Sequence, residues 1–218
     1  MTGWAALADE IAAFVLSGCC AGCDVPGTLL CESCRSELIA RPVHTKTPEG
    51  MPVVAALPFE QVPARCIRRV KEDGQTLLAR PLGAALAAAG EVMGAGTPGV
   101  LLVPVPTGRA AFRRRGYRVP ELLMRRAGFV PARLLRQARR TGDQRELDAE
   151  QRRRNVAGSM RVRHARAADD VLLFDDVVTT GATLDEGARA LTSAGFRVRG
   201  AVALAATPRH RETHPNTS

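Results

Sequence analysis

The stretch Val171-Leu-Leu-Phe-Asp-Asp-Val-Val-Thr-Thr-Gly-Ala-Thr-Leu184 constrains this chain more than any other. Val171 to Phe174 is an apolar run too short for a helix and bounded by acids, which predicts a buried parallel strand. The strand ends in Asp175 and Asp176, and a Thr- and Gly-rich turn then leads into a helix over Leu184 to Ala194. In an open α/β sheet, ligands bind beyond the carboxyl ends of the strands. The turn, Thr179, Thr180, Gly181, Ala182 and Thr183, sets backbone N–H groups and three hydroxyls at a helix N-terminus. That suits a phosphate monoester, and Gly181 lets the backbone come close. Asp175 and Asp176 would repel a bare phosphate, so they call for another partner: ribose hydroxyls, directly or through Mg2+. An isolated acid pair after a strand is usually an ordinary turn with helix caps. Strand, acids, hydroxyl–Gly loop and helix in order argue against that here. The G-x-x-x-x-G-K pattern of a Walker loop is absent.

The rest of the chain alternates in the same manner. Strands are expected at Val53 to Phe59, Gly99 to Val103, Ala132 to Gln137 and Phe196 to Ala206. Helices are expected at Trp4 to Leu16, Glu32 to Ile39, Gln61 to Val70, Thr76 to Met93 and Val119 to Ala127. Arg41 to Pro52 holds three Pro and a Gly and reads as a linker. Arg139 to Ala157 is polar and Arg-rich and reads as a mobile surface loop. The fold class is therefore α/β, a mostly parallel twisted sheet flanked by helices. At 218 residues and 45% hydrophobic the chain can bury one core, and with only 4% aromatic residues that core is aliphatic. A stacking platform for single-stranded nucleic acid is disfavoured for the same reason.

Cysteines form the second constellation. Cys20-Ala-Gly-Cys23 and Cys31-Glu-Ser-Cys34 are two C-x-x-C knuckles, the spacing of a four-thiolate structural Zn2+ site. The alternatives are a pair of disulfides or a redox motif, and a reducing compartment argues against the disulfides. Cys19 can replace Cys20 with one more residue in its knuckle. Cys66 reads as a buried small hydrophobe. Four thiolates leave no open position, so the metal is expected to be structural.

The net charge is +9. Arg109 to Arg166 contains 18 arginines and five acids, so the remainder is net acidic. Lys46 and Lys71 are the only lysines. An Arg-rich stretch attracts polyanions, nucleic acid or a polyphosphorylated small molecule, although a preference for Arg over Lys is also a habit of high-GC coding. Trp4 to Leu16 carries Asp9 and Glu10 and follows no basic segment, so neither a signal peptide nor a membrane span is expected. The expected location is cytoplasmic.

Leu173 to Thr183 resembles the phosphoribosyl pyrophosphate (PRPP) signature of type I phosphoribosyltransferases. More narrowly, the chain resembles the ComF family of competence proteins, from the finger to about Ala206. The family's four-cysteine finger matches Cys20, Cys23, Cys31 and Cys34. Its Val-Pro-Val-Pro segment matches Val103 to Pro106, and its Arg-Gly-aromatic motif matches Arg115-Gly116-Tyr117. Its loop with Gln, Leu, Arg and Asn-Val matches Gln144, Leu147, Arg152 and Asn155-Val156. Two positions depart: the usual Asn-Gln after the aromatic is Arg118-Val119, and the usual Glu before the loop arginine is Gln151.

The resemblance implies a type I phosphoribosyltransferase fold over residues 53–207. A helix and a double-zinc-ribbon-like four-Cys finger over 1–42 would precede it, and a disordered tail over 208–218 would follow. It implies a phosphoribosyltransferase-type glycosyltransferase of unknown acceptor that binds PRPP or a related sugar phosphate with Mg2+. Thr179 to Thr183 would hold the 5′-phosphate, and Asp175 and Asp176 the ribose. Val105, between Pro104 and Pro106, would shape the pyrophosphate loop. Arg113, Arg114, Arg115 and Lys71 are candidates to neutralise the leaving group. Thr141 to Val156, with Gln144, Arg152 and Asn155, would form a lid that excludes water. The alternative is a non-catalytic DNA-uptake factor whose partners are single-stranded DNA and other competence proteins.

Overall fold

The computed structural model describes residues 18–138, 156–163 and 169–208. The expected helix at Trp4 to Leu16 lies outside them, as do Gln144, Leu147, Gln151, Arg152 and Asn155 of the expected lid and most of the tail.

The central sheet has five strands in the order β1 (Val43–Lys46), β2 (Pro52–Pro58), β7 (Arg197–Ala206), β6 (Asp170–Val178), β3 (Val100–Pro104). Only the edge pair β1–β2 is antiparallel; β2–β7, β7–β6 and β6–β3 are parallel. A separate two-stranded ribbon pairs β4 (Leu135–Gln137) with β5 (Met160–Val162). The helices are α1 (Glu32–Ser36), α2 (Gln61–Glu72), α3 (Ala79–Val92), α4 (Arg109–Arg115), α5 (Val119–Arg126) and α6 (Ala182–Thr192). The α/β class with a mostly parallel sheet is therefore observed. No helix among the described residues is long and apolar enough to cross a membrane.

Both faces of the sheet are covered, which is why its strands read as near-continuous apolar runs. Leu172 and Phe174 of β6 pack on one side with Leu82, Leu86 and Met124. Val171 and Leu173 pack on the other with Leu184 and Leu191 of α6. Side chains alternate with period two, so one strand feeds two cores. Phe129 meets Phe174 edge-on with ring centroids 5.4 Å apart, which braces β6 just before its acids.

Four elements differ from the sequence expectation, one being β5, a strand where none was expected. The linker over Arg41 to Pro52 contains β1, a strand whose residues are mostly exposed and polar and which, among the described residues, pairs with β2 alone. Segment Arg109–Arg115 is helical although none of its residues is buried. Strand β6 does not end at the acids: Asp175 pairs with Ala203, Val177 with Ala205 and Val178 with Ala206. The ladder with β7 supplies backbone partners that carry the strand through the acidic pair.

The parallel strands β2, β7, β6 and β3 finish at one edge, at Pro58, Ala206, Val178 and Pro104. Helix α2 starts just after β2, and its last turn reaches Asp176 near the end of β6. It therefore runs across the carboxyl edge of the sheet.

Candidate functional site

At that edge, Thr179, Thr180, Gly181, Ala182 and Thr183 wrap a small cavity lined also by Asp175, Val156 and Leu184. Gly181 takes φ +82° and starts α6, whose first amide, Ala182 N–H, donates weakly to Thr180 Oγ1 at 3.4 Å. Open amides at a helix start and the positive end of its dipole favour an anion. A Cβ on Gly181 would lie 3.1 Å from Pro48 Cδ and 3.2 Å from Thr47 Cα. The hairpin between β1 and β2 thus presses on the loop from outside. The Glu49 N–H also donates to Asp185 Oδ2 of α6, at 3.4 Å.

The two acids diverge, as neighbours in a strand do. Asp175 lines the cavity, and its Oδ1 accepts the Asp176 N–H at 2.8 Å. Burial first, then the charge of Asp176, push Asp175 up to about 7, against the pull of Lys71 and of that N–H. Asp176 instead accepts from the Lys71 ammonium at 2.8 Å, with 25% of the lysine side chain and 15% of the aspartate exposed.

Lys71 is held in turn. Its carbonyl accepts from Arg115 Nε, and the Val70 carbonyl accepts from the Tyr117 hydroxyl. The Arg-Gly-aromatic segment thus clasps the last turn of α2. Gly116 lets the chain reverse there, at φ +81°. Arg113 and Arg114 are exposed on α4. Val105 extends β3 by one bond, its N–H donating to the Phe174 carbonyl at 2.8 Å, while its side chain is buried. The structure thus brings Lys71, Val105, Arg115, Asp175, Asp176 and Thr179–Thr183 to one edge. Arg152, Gln144 and Asn155 lie outside the described residues.

The four cysteine sulfurs of Cys20, Cys23, Cys31 and Cys34 lie within 4.8 Å of one another. Cys23 Sγ and Cys31 Sγ are 3.7 Å apart. A tetrahedron with metal–sulfur bonds of about 2.3 Å has edges of about 3.8 Å, so the set fits a four-thiolate metal ion. Cys19 is exposed, bridges to Pro26 and stays outside the cluster, which selects Cys20. Burial would push Cys20 up, but the N–H groups of Cys31, Cys23 and Gly22 outweigh it and bring it to about 6. Burial, chiefly, pushes Cys66 up to about 12, the value of an inert core thiol. All six cysteines are free thiols.

Sequence reasoning missed the clasp between finger and α2. Arg65 Nη1 donates to the Gly22 carbonyl and to Asp24, each at 2.9 Å, and Arg69 reaches Asp24 at 3.0 Å. No local signal pairs Asp24 with arginines more than 40 positions away. The hairpin at Thr47 and Pro48 was missed for the same reason.

No protein-family model and no curated protein matches the sequence. Among solved structures, the chain is similar to a Leishmania donovani UMP synthase, at 16% identity and a TM-score of 0.35 over 79% of this chain. It spans only 30% of that protein's length. It is also similar to the protein TT1426 from Thermus thermophilus, at 21% identity and a TM-score of 0.33, over 62% of this chain and 86% of that one.

Proposed function

We propose that this protein is a phosphoribosyltransferase-fold protein that binds PRPP with Mg2+ and transfers its phosphoribosyl group, and that it is a relative of the ComF family. One observation carries the reading: a threonine–glycine cradle at the start of α6 shares its cavity with Asp175, at the carboxyl edge of a parallel sheet. The cradle suits a 5′-phosphate and the carboxylates suit ribose hydroxyls, so one sugar phosphate satisfies both.

In such a transfer an acceptor attacks C1 of the sugar. The C1–O bond to pyrophosphate breaks and its electron pair leaves with the pyrophosphate. The sugar passes through an oxocarbenium-like transition state. The protein contributes position and charge. Lys71 and Arg115, at the same edge as the cradle, would supply cations to a developing pyrophosphate charge. Mg2+ supplies further neutralisation when bound, with most of its coordination from substrate and water. The acid pair fits that division, because Asp176 is already engaged by Lys71 and the two carboxylates are no self-contained metal cage. The four-thiolate cluster is assigned to structural Zn2+.

Titration of wild type and of Asp175→Asn/Asp176→Asn with PRPP and Mg2+ tests the reading. Saturable binding is expected for wild type and at least a tenfold loss for the double variant. No binding by folded wild type overturns it. A second reading, electrostatic binding of single-stranded DNA, draws on Arg109, Arg113 and Arg114, exposed on a helix without acids. Its mark is affinity that falls steeply with salt, and affinity indifferent to salt rejects it.

A further inference from the structure

Helix α2 touches both constellations. Along its first two turns, Val62 lies against the Gly22 knuckle and Arg65 grips Gly22 and Asp24. Cys66, Ile67 and Val70 share one buried cluster with Cys20, Ala21, Cys34 and Leu38 of the finger. At its last turn Lys71 holds Asp176, and the carbonyls of Val70 and Lys71 are taken by Tyr117 and Arg115. The helix is 12 residues long, about 18 Å. A rigid packed helix is one kind of element that can carry coupling between two sites.

We propose that α2 is a strut coupling the four-thiolate finger to the acid pair, with Lys71 as the positioning residue through which the finger sets the charge arrangement at Asp176. Its contacts place the finger upstream of the site without any finger residue entering the cavity. The coupling is reciprocal: what loosens the Lys71–Asp176 pair loosens the metal site, and the converse. Its consequence for sugar-phosphate affinity rests on the reading proposed above; the coupling itself does not.

The test is the rate at which full-length, zinc-loaded protein loses zinc to excess chromogenic chelator, in reductant and without PRPP. Asp176→Asn and Lys71→Gln break the same pair from opposite elements, and neither touches a thiolate. Each is expected to release zinc about two- to fivefold faster than wild type, the range of a partly exposed ion pair. The double variant should release no faster than the singles, because the pair is already lost. Lys71→Arg, which keeps the charge, should restore the slow rate. Arg197→Gln is the control: it breaks the Arg197–Asp170 pair, 2.6 Å long, at the opposite end of β6, and should leave release unchanged. Equal rates in wild type, Asp176→Asn and Lys71→Gln overturn the strut, as does equal acceleration by Arg197→Gln. Calorimetry of wild type with PRPP and Mg2+ runs in parallel. Failure there sinks the sugar-phosphate reading and leaves the zinc-release result standing.

Discussion

The Lys71 ammonium sits 2.8 Å from Asp176 Oδ1 and joins the end of α2 to the end of β6 across 105 positions of sequence. Both partners are largely shielded, so removing one leaves a charge poorly solvated. Lys71→Met should lower stability at pH 8 by about 1–2 kcal/mol, less than a fully buried pair loses because a quarter of the lysine side chain is exposed. At pH 5 the loss should shrink, since Asp175 then carries a proton and the site needs less positive charge. Thermal unfolding at the two pH values checks this. An equal loss at both would detach Lys71 from the charge of Asp175.

Asp175 predicts opposite pH slopes for folding and for binding. Its folded value is pushed up to about 7 by burial and by Asp176, while an unfolded aspartate titrates near about 3.9. The folded state therefore holds its proton more tightly. The associated stability is fully present below about pH 4 and is lost as pH rises through 7. Asp175→Asn should raise the melting temperature most at pH 8, less at pH 5, and change it little below about pH 4. If the ionised carboxylate accepts ribose hydroxyls, PRPP affinity should climb more steeply over the same interval in wild type than in the variant, where only the ligand's own phosphate titrates, near about 6. Melting curves and calorimetry from pH 5 to 8 would show both, and a wild-type affinity independent of pH would remove Asp175 from the ribose.

What was legible in the sequence is what short-range chemistry determines. The strand before Asp175, the turn at Gly181 and the helix after it follow from apolar patterning and glycine freedom within one segment. The four thiolates follow from doubled spacing, and only the choice between Cys19 and Cys20 needed the backbone. Long-range pairing was not legible. Strand β6 continues past its acids because Ala203, Ala205 and Ala206 of β7 bond alongside. The edge strand at Val43–Lys46 buries too little to leave a hydrophobic signature. Arg115 reads from sequence as a cation for the leaving group, but the bond from its Nε to the Lys71 carbonyl, a partner 44 positions away, left no signal there.

Gly22 is the tightest point of the finger. A Cβ there would lie 2.6 Å from Cys34 Sγ and 2.9 Å from Val62 Cγ1. Neither can retreat cheaply, since Cys34 belongs to the metal set and Val62 to α2. Gly22→Ala should push Cys34 away from the other three sulfurs and drop bound zinc well below the roughly one ion per chain expected of wild type. Metal analysis after purification in reductant measures this. Full occupancy in the variant would mean that the four sulfurs close without the contact seen here.

Gly181→Ala separates strain from binding when paired with Gly128→Ala. Both glycines have positive φ, +82° and +83°, so an added Cβ costs each about 1–2 kcal/mol of backbone strain. Of the two, Gly181 also meets a neighbour: its Cβ would approach Pro48 Cδ to 3.1 Å, whereas no described residue lies within 4 Å at Gly128. The Gly181 loop lines the cavity and has to shift to relieve the contact, which moves the amides and hydroxyls away from a bound phosphate. Both variants should melt earlier, Gly181→Ala by somewhat more because of the added contact. Affinity for ribose 5-phosphate should fall at least tenfold in Gly181→Ala and stay near wild type in Gly128→Ala. Equal affinities in the two variants would show that the cradle at the start of α6 is not where the phosphate binds.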